Sequence, residues 1–195
     1  MPKTLLAMAG ADLSPSAISS SVLILIDCQN EYVTGALPLV GVDDAMMAAQ
    51  GILRRFRDLN APIIHIQHHG NPGGAFDLDQ DRGQIDDRVA PIDGEDVIFK
   101  ALPNSFAGTA LKGRLKEIAR RDLIIVGFQT HMCVSATTRA ALDMGYKNTL
   151  IADAIATRDL PGAAGGPDIP AADIHNATLA ALADRFAIVV QSVSD

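Results

Sequence analysis

The chain contains no tryptophan, only 4% aromatic residues and only two cysteines among its 195 residues. Two cysteines cannot form the disulfide framework that stabilises many small secreted domains, so a reducing, cytoplasmic location is expected. Basic residues are also scarce, since 16 Lys and Arg face 23 Asp and Glu and leave a net charge of −7. This balance argues against nucleic acid as a partner, because binding phosphates requires a basic surface.

Long apolar runs are missing as well. The longest runs cover about five residues, whereas about 20 are needed to span a bilayer as a helix, so no membrane partner is expected. One such run near the start, residues 5–9, follows a single positive charge and stops before Gly10 and Asp12. We expect residues 1–20 to be an irregular N-terminal segment rather than an export signal.

Short apolar runs rich in β-branched residues alternate along the chain with longer segments of helical periodicity. The predicted strands cover residues 22–26, 62–66, 97–99, 123–126, 149–152 and 187–190. The predicted helices cover residues 43–60, 111–120, 133–144 and 171–186. This alternation predicts a single α/β domain over residues 1–195, with a six-stranded parallel sheet flanked by helices on both faces in a Rossmann-like, three-layer arrangement.

One long segment, residues 67–96, interrupts the alternation. It carries seven Asp, one Glu, two Arg and five Gly. A loop of this length in a compact domain is usually functional, so we expect it to cover a site. Its acidity favours a neutral or cationic substrate over an anionic one.

Chemically useful residues follow three of the predicted strands. In an open α/β sheet, ligands bind beyond the carboxyl ends of the strands. Asp27 follows the first strand, Lys100 the third, and Cys133 lies just beyond the fourth, at the start of a predicted helix whose dipole would stabilise a thiolate. Each residue alone also fits a structural role. Together they supply a nucleophile, a candidate base and a cation, with backbone N–H groups near Cys133 as candidate oxyanion donors.

Three blocks around these residues resemble the isochorismatase-like cysteine hydrolase superfamily, over about residues 20–190. The first is Leu25-Ile26-Asp27-Cys28-Gln29-Asn30-Glu31-Tyr32. The second is Val97-Ile98-Phe99-Lys100, followed by Asn104-Ser105-Phe106-Ala107-Gly108-Thr109. The third runs from Gly127-Phe128-Gln129-Thr130-His131-Met132-Cys133 to Ala140.

The resemblance implies an Asp27–Lys100–Cys133 triad that cleaves a C–N bond of a small molecule through a thioester. It also implies a cis peptide before Gln129, an oxyanion hole built from the N–H groups of Gln129 and Cys133, no cofactor, and a homo-oligomer, either a dimer or a tetramer. The pocket walls expected from the same blocks and from the second strand end are Gln29, Tyr32, His68, Phe106 and His131.

Other branches of the superfamily remain as alternatives. True isochorismatases cleave a vinyl ether and typically lack the cysteine, so Cys133 favours C–N hydrolysis. Nicotinamidases carry a metal site with an Asp-x-His pattern after the second strand, where this chain has Gln67-His68-His69-Gly70, so no metal is predicted. A non-catalytic ligand-binding or thiol-sensing scaffold is the third alternative, with Cys28 as the only available resolving thiol.

Overall fold

The computed structural model describes residues 2–192, which form one six-stranded sheet of order β3-β2-β1-β4-β5-β6. All neighbouring strands run parallel. The strands are β1 (Ser21–Ile26), β2 (Ile63–His68), β3 (Asp96–Lys100), β4 (Asp122–Phe128), β5 (Lys147–Ala156) and β6 (Ile188–Val190). The prediction of a single α/β domain with a six-stranded parallel sheet is confirmed.

Within the described residues, five α-helices accompany the sheet: α1 (Leu5–Met8), α2 (Val42–Asp58), α3 (Leu111–Ile118), α4 (Ser135–Asp143) and α5 (Ala171–Arg185). Helix α2 packs on one face, where Phe56 shares an apolar cluster with Leu23 and Leu25 of β1. Helices α3, α4 and α5 pack on the other face, against Val22 and Ile24. A strand covered on both faces is apolar at every position, which explains the continuous run in β1. None of the helices within residues 2–192 is long and apolar enough to cross a bilayer.

Two stretches contain more regular structure than predicted. The N-terminal segment, expected to be irregular, forms α1, and the N–H of Leu5 donates to Asp184 of α5 at 2.8 Å. Strand β5 is longer than predicted because its register against β4 shifts, so that Gly127 pairs with Ile155. Asp153 lies inside β5 and interrupts its apolar run, so a prediction based on apolar runs ends the strand too early.

The 67–96 segment takes the place of a crossover helix between β2 and β3. It contains two short 3₁₀ turns and lies beside α2, where Gln50 Nε2 donates to the carbonyl of Arg88 at 2.9 Å. Its residues also run along the chain that follows β1, since Asp86 N–H donates to the Cys28 carbonyl at 2.9 Å. The segment therefore closes against the carboxyl edge of the sheet.

Candidate active site

The topology places the crevice between β1 and β4. The chain leaves β1 towards β2 on one side and returns to β4 on the other, and such a switch point is where open α/β sheets bind ligands. Gly127 of β4 lies opposite Ile26 with φ +110°, and a Cβ there would lie 2.1 Å from the Ile26 carbonyl oxygen. Only glycine allows the two strands to approach this closely. Asp27 follows at the end of β1, with φ +51°.

The three predicted catalytic residues meet at this edge. Lys100 Nζ lies 2.7 Å from Asp27 Oδ2 and 3.3 Å from Cys133 Sγ. All three residues are buried, with exposed fractions of 0% for Asp27, 1% for Lys100 and 4% for Cys133. The third acceptor for the ammonium is His68 Nδ1 at 3.0 Å. Three N–H donors thus have three acceptors in a water-excluded site.

Burial sets the resting protonation of Cys133. Removal from water, together with the charge of Asp27, raises the pKa of this thiol to about 12, although Lys100 opposes the change. The predicted helix start at Cys133 is shifted: helix α4 begins at Ser135, and Cys133 lies inside a π-helical turn, Thr130–Val134, that leads directly into it. Stabilisation of a thiolate by the helix N-terminus stays a prediction.

Asp27 is placed to receive the thiol proton. Burial raises the pKa of this carboxyl, while Lys100 and the adjacent Cys133 thiol oppose the rise. A carboxylate with a raised pKa is a stronger proton acceptor, which a base acting on a thiol needs. The arrangement can therefore move a proton from sulfur to carboxylate as sulfur attacks, without a free thiolate in the resting state.

The chain before Cys133 is tightly turned. The peptide between Phe128 and Gln129 is cis, as the resemblance implies. The Gln129 carbonyl accepts the N–H groups of Met132 and Val134 at 3.1 and 3.2 Å, which stabilises the π-helical turn. The roles of the Gln129 and Cys133 N–H groups as oxyanion donors stay predictions.

Two of the predicted pocket residues lie beside the triad. Tyr32 is buried and packs edge-on against Phe128, with the ring centroids 5.9 Å apart. Burial and the charges of Asp27 and Cys133 raise the pKa of the Tyr32 hydroxyl. His131 is half-buried, and its Nδ1 lies 2.7 Å from a threonine hydroxyl at the end of β5.

Gln29 has a different role from the one predicted. It is fully buried, and its Nε2 donates to the carbonyls of His68 at 2.9 Å and Gly83 at 2.7 Å. Its Oε1 accepts the N–H of His68 at 2.8 Å. Because the amide is engaged with backbone on both sides, Gln29 holds the 67–96 segment to β2 instead of lining the pocket.

Phe106 also has a different role from the predicted one in the pocket wall. Its ring is buried in the apolar cluster on the α3–α5 face, where it stacks on Tyr146 with the centroids 6.2 Å apart. The residue beside it, Ser105, bonds to Thr137 of α4 through both its N–H and its hydroxyl. The motif residues around Phe106 therefore fasten the loop after β3 to α4, and the aromatic ring contributes to packing.

Sequence reasoning missed two polar side chains near the triad. The side-chain oxygen of Gln129 is buried beside the Tyr32 hydroxyl, and Arg158 Nε is buried without a hydrogen-bond partner within residues 2–192. The Arg158 guanidinium lies close enough to Tyr32 and His131 to oppose the rise in the pKa of Tyr32 and to add to the fall in the pKa of His131. Arg158 follows β5 at the same carboxyl edge, so applying the strand-end rule to the fifth strand would have found it.

Metal ligands are not assembled in the part of the chain that the structure describes. Residues 2–192 contain no group of three or more His, Cys, Asp or Glu that could hold a metal ion. Gln67, which stands where the nicotinamidase pattern has a carboxylate, donates from Nε2 to the Gly83 carbonyl at 2.8 Å. It thus serves as a second tie between β2 and the 67–96 segment.

Comparison with known proteins agrees with this architecture. A family model described as the isochorismatase domain matches residues 21–194. The chain belongs to the isochorismatase family. A crystal structure of an isochorismatase from Pseudomonas putida KT2440 superposes with a TM-score of 0.93, at 43% identity and over 97% of both chains.

Curated relatives in the isochorismatase family carry more specific names. A protein of Verticillium dahliae named secreted isochorismatase effector Isc1 is 34% identical over 187 residues, or 95% of each chain. A streptothricin hydrolase from Streptomyces noursei is 33% identical over 174 residues, covering 88% of this chain and 63% of that enzyme. The protein is thus an isochorismatase-family hydrolase, in a family whose members include enzymes acting on C–N bonds.

Proposed function

We propose that the protein is a cysteine hydrolase that cleaves an amide, carbamoyl, ureido or lactam C–N bond of a small molecule. One observation carries the proposal: a buried ammonium, Lys100 Nζ, lies between a carboxylate at 2.7 Å and the Cys133 thiol at 3.3 Å. A nucleophile, a base and a charge that stabilises both anions are the parts that acyl transfer through sulfur requires.

The reaction follows from these positions. Cys133 Sγ attacks the carbonyl carbon while its proton passes to Asp27, and the N–H groups of Gln129 and Cys133 bind the oxyanion. Collapse of the tetrahedral intermediate breaks the C–N bond, and Asp27 returns the proton to the leaving nitrogen. Asp27 then takes a proton from water, which attacks the thioester. The acid product leaves, and the proton passes back to the thiol.

Acceptor oxygens near the thiol favour an amide over a vinyl ether. Asp27 is paired with Lys100 beside the Cys133 thiol, and the buried side-chain oxygen of Gln129 lies beside the Tyr32 hydroxyl. Carboxylate and amide oxygens each have further lone pairs that the N–H groups of a ligand can use. Amides and ureido compounds have such N–H groups beside the scissile bond, whereas a vinyl ether oxygen carries no hydrogen.

The charges around the triad favour a substrate with an anionic group. Part of the acidity of the 67–96 segment is paired within the protein: Asp86 with Arg88 at 2.8 Å, Glu95 with Arg57 at 2.7 Å, and Asp96 with Arg114 at 2.6 Å. The guanidinium of Arg158 forms no ion pair within residues 2–192 and has an orphaned Nε. We therefore infer a carboxylate or similar group on the substrate, in place of the neutral or cationic substrate that the composition suggests.

An ammonia-release screen over amides, ureido compounds and lactams, each with and without a carboxylate, tests the reaction. Cys133→Ala should abolish turnover with the fold intact, and Asp27→Asn should slow it by about 10²–10⁴-fold because an amide cannot accept the proton. Mass spectrometry of the quenched wild-type enzyme should show an acyl adduct on Cys133. Substantial turnover by Cys133→Ala would refute the covalent mechanism and favour the alternative, hydrolysis of a vinyl ether.

The role of Arg158 can be tested without knowing the substrate. Iodoacetate and iodoacetamide differ in one charge, and both alkylate thiols. Arg158→Gln should lower the iodoacetate-to-iodoacetamide rate ratio at Cys133 by about tenfold, equivalent to about 1.4 kcal/mol of lost attraction. Arg54→Gln, which removes an exposed arginine of α2, is the matched control for net charge. An equal ratio in both variants would exclude Arg158 as the anion-binding group.

Cellular location and assembly stay predictions. Cys28 and Cys133 are both free and buried, which fits the reducing location that we propose for this chain. The homo-oligomer implied by the family resemblance is likewise a proposal, and size-exclusion chromatography with light scattering tests it.

A further inference from the structure

His68 contacts the triad through the residue that holds the triad together. It is paired with Lys100 in the β2–β3 register, so the two side chains leave the sheet edge at the same height. His68 Nδ1 lies 3.0 Å from Lys100 Nζ. Since an ammonium can only donate, Nδ1 must accept, and the remaining ring proton is on Nε2. Burial and the charges of Lys100 and His69 lower the pKa of His68 to about 4, which keeps the ring neutral at pH 7.

The ring of His68 is itself held on two sides. Gln29 accepts the His68 N–H and donates to its carbonyl, which fixes the backbone at the strand end. Phe76, from the 67–96 segment, packs edge-on against the imidazole with the centroids 5.0 Å apart. The N–H of Phe76 points to the fully buried carboxylate of Glu31 at 3.4 Å, and Arg82 anchors that carboxylate at 2.6 Å. The 67–96 segment is thereby tied to the position of the imidazole.

We propose that His68 is a positioning residue of the catalytic cluster: its Nδ1 is the third acceptor that aims the Lys100 ammonium at Asp27 and Cys133, and the 67–96 segment holds the ring in that orientation. The inference rests on the proposed function of the triad. It replaces the predicted contact between His68 and substrate with a contact to Lys100.

Loss of the third acceptor should weaken the support that Lys100 gives to sulfur. With two acceptors, the ammonium is free to rotate away from Sγ, and the thiol loses its nearest cation. The charge that then acts most strongly on Cys133 is that of Asp27, which disfavours the thiolate. The fraction of Cys133 that ionises during attack should fall accordingly.

The test is the rate at which iodoacetamide alkylates Cys133, measured from pH 7 to pH 10 on the full-length protein. Asn places its side-chain oxygen near the position of Nδ1, Gln places its oxygen near that of Nε2, and Leu supplies no acceptor. We expect His68→Leu and His68→Gln to slow alkylation about tenfold at every pH, as one unit of thiol pKa would. His68→Asn should restore most of the rate. His69→Leu, at the exposed next residue, is the control and should behave as wild type.

Each other result overturns the proposal. If all three His68 variants alkylate at the wild-type rate while KM for the hydrolysed substrate rises, His68 binds substrate. If His68→Asn and His68→Leu slow the alkylation of Cys133 equally, and both lower the melting temperature, the imidazole ring only fills space. Alkylation needs no turnover, so its outcome is independent of the ammonia-release screen. If no compound in that screen is hydrolysed but the His68 variants alkylate as expected, the proposed reaction is refuted and the positioning role is supported.

Discussion

The two cysteines have different surroundings, and the difference is the reason why we propose Cys133, and not Cys28, as the nucleophile. Cys28 and Cys133 are 2% and 4% exposed, and burial raises the pKa of both. Cys28 lies in the cluster beneath α2, where the only hydrogen-bond contact of its thiol within residues 2–192 is the Ile26 carbonyl at 3.8 Å, and the nearby charges are acidic. Cys133 has the Lys100 ammonium at 3.3 Å. Burial therefore disfavours ionisation of both thiols, and at Cys133 a buried cation opposes that effect.

Removing that cation should abolish the difference between the cysteines. Lys100→Met keeps the length of the side chain but leaves Asp27 as an uncompensated buried charge. Breaking a buried pair from one side costs about 3–5 kcal/mol, so the free energy of unfolding should fall by that amount. Cys133 should become as slow to alkylate as Cys28. Chemical denaturation followed by peptide mapping measures both effects.

A double variant separates the charge from the packing. Asp27→Asn in the Lys100→Met background should recover much of the lost stability, because no isolated buried charge remains, yet hydrolysis should stay absent. Lys112→Met, which removes an exposed lysine at the start of α3, should leave stability within about 0.5 kcal/mol of wild type. A Lys100→Met protein as stable as wild type would contradict the buried ion pair.

Acid should affect the site of Cys133 through Asp27. The reaction needs the ionised carboxylate, and burial raises the pKa of Asp27 above its ordinary value. Turnover should therefore fall as pH drops through a value higher than the roughly 3.9 of an exposed aspartate. The acid limb of a plot of kcat/KM against pH gives the pH at which turnover falls, and circular dichroism at each pH excludes unfolding. An acid limb at or below pH 3.9 would assign the base to another group.

The smallest effect is expected at the other cysteine. Cys28→Ala removes one buried sulfur from the α2 cluster and should cost about 1 kcal/mol of stability. Turnover and Cys133 alkylation should be unchanged, since Cys28 takes no part in the proposed reaction. A tenfold loss of activity, or a Cys28–Cys133 disulfide after mild peroxide treatment, would instead support the thiol-sensing alternative.

Much of the architecture is readable from local pattern. The apolar run of β1 and the helical periodicity of α2 are repeated signals, and their alternation leaves few arrangements other than a parallel sheet. The boundaries of β5 and α4 were less predictable. A register shift at Gly127 and a π-helical turn before Ser135 depend on contacts between strands, which no single segment encodes.

In the candidate site, too, some residues were predictable from the sequence and others were not. Asp27, Lys100 and Cys133 were identifiable because parallel strands bring their carboxyl ends to one edge, whatever the details of packing. Gln29 and Phe106 share the same motif blocks, yet one ties down the 67–96 segment and the other packs on Tyr146. Residue type and spacing do not distinguish a side chain that faces the crevice from one that faces a neighbouring loop.

Hydrophobic period and strand polarity are local properties of a chain, so the sequence alone predicts the layers of the fold and the three candidate residues at or just beyond the carboxyl ends of β1, β3 and β4. The charge state and the partners of those residues depend on tertiary packing. The protonated resting thiol, the contact of His68 with Lys100 and the position of Arg158, whose Nε has no hydrogen-bond partner within residues 2–192, all depend on how the 67–96 segment and the end of β5 pack over the crevice. Burial and distance govern electrostatic energies, and both arise only when segments distant in sequence pack together.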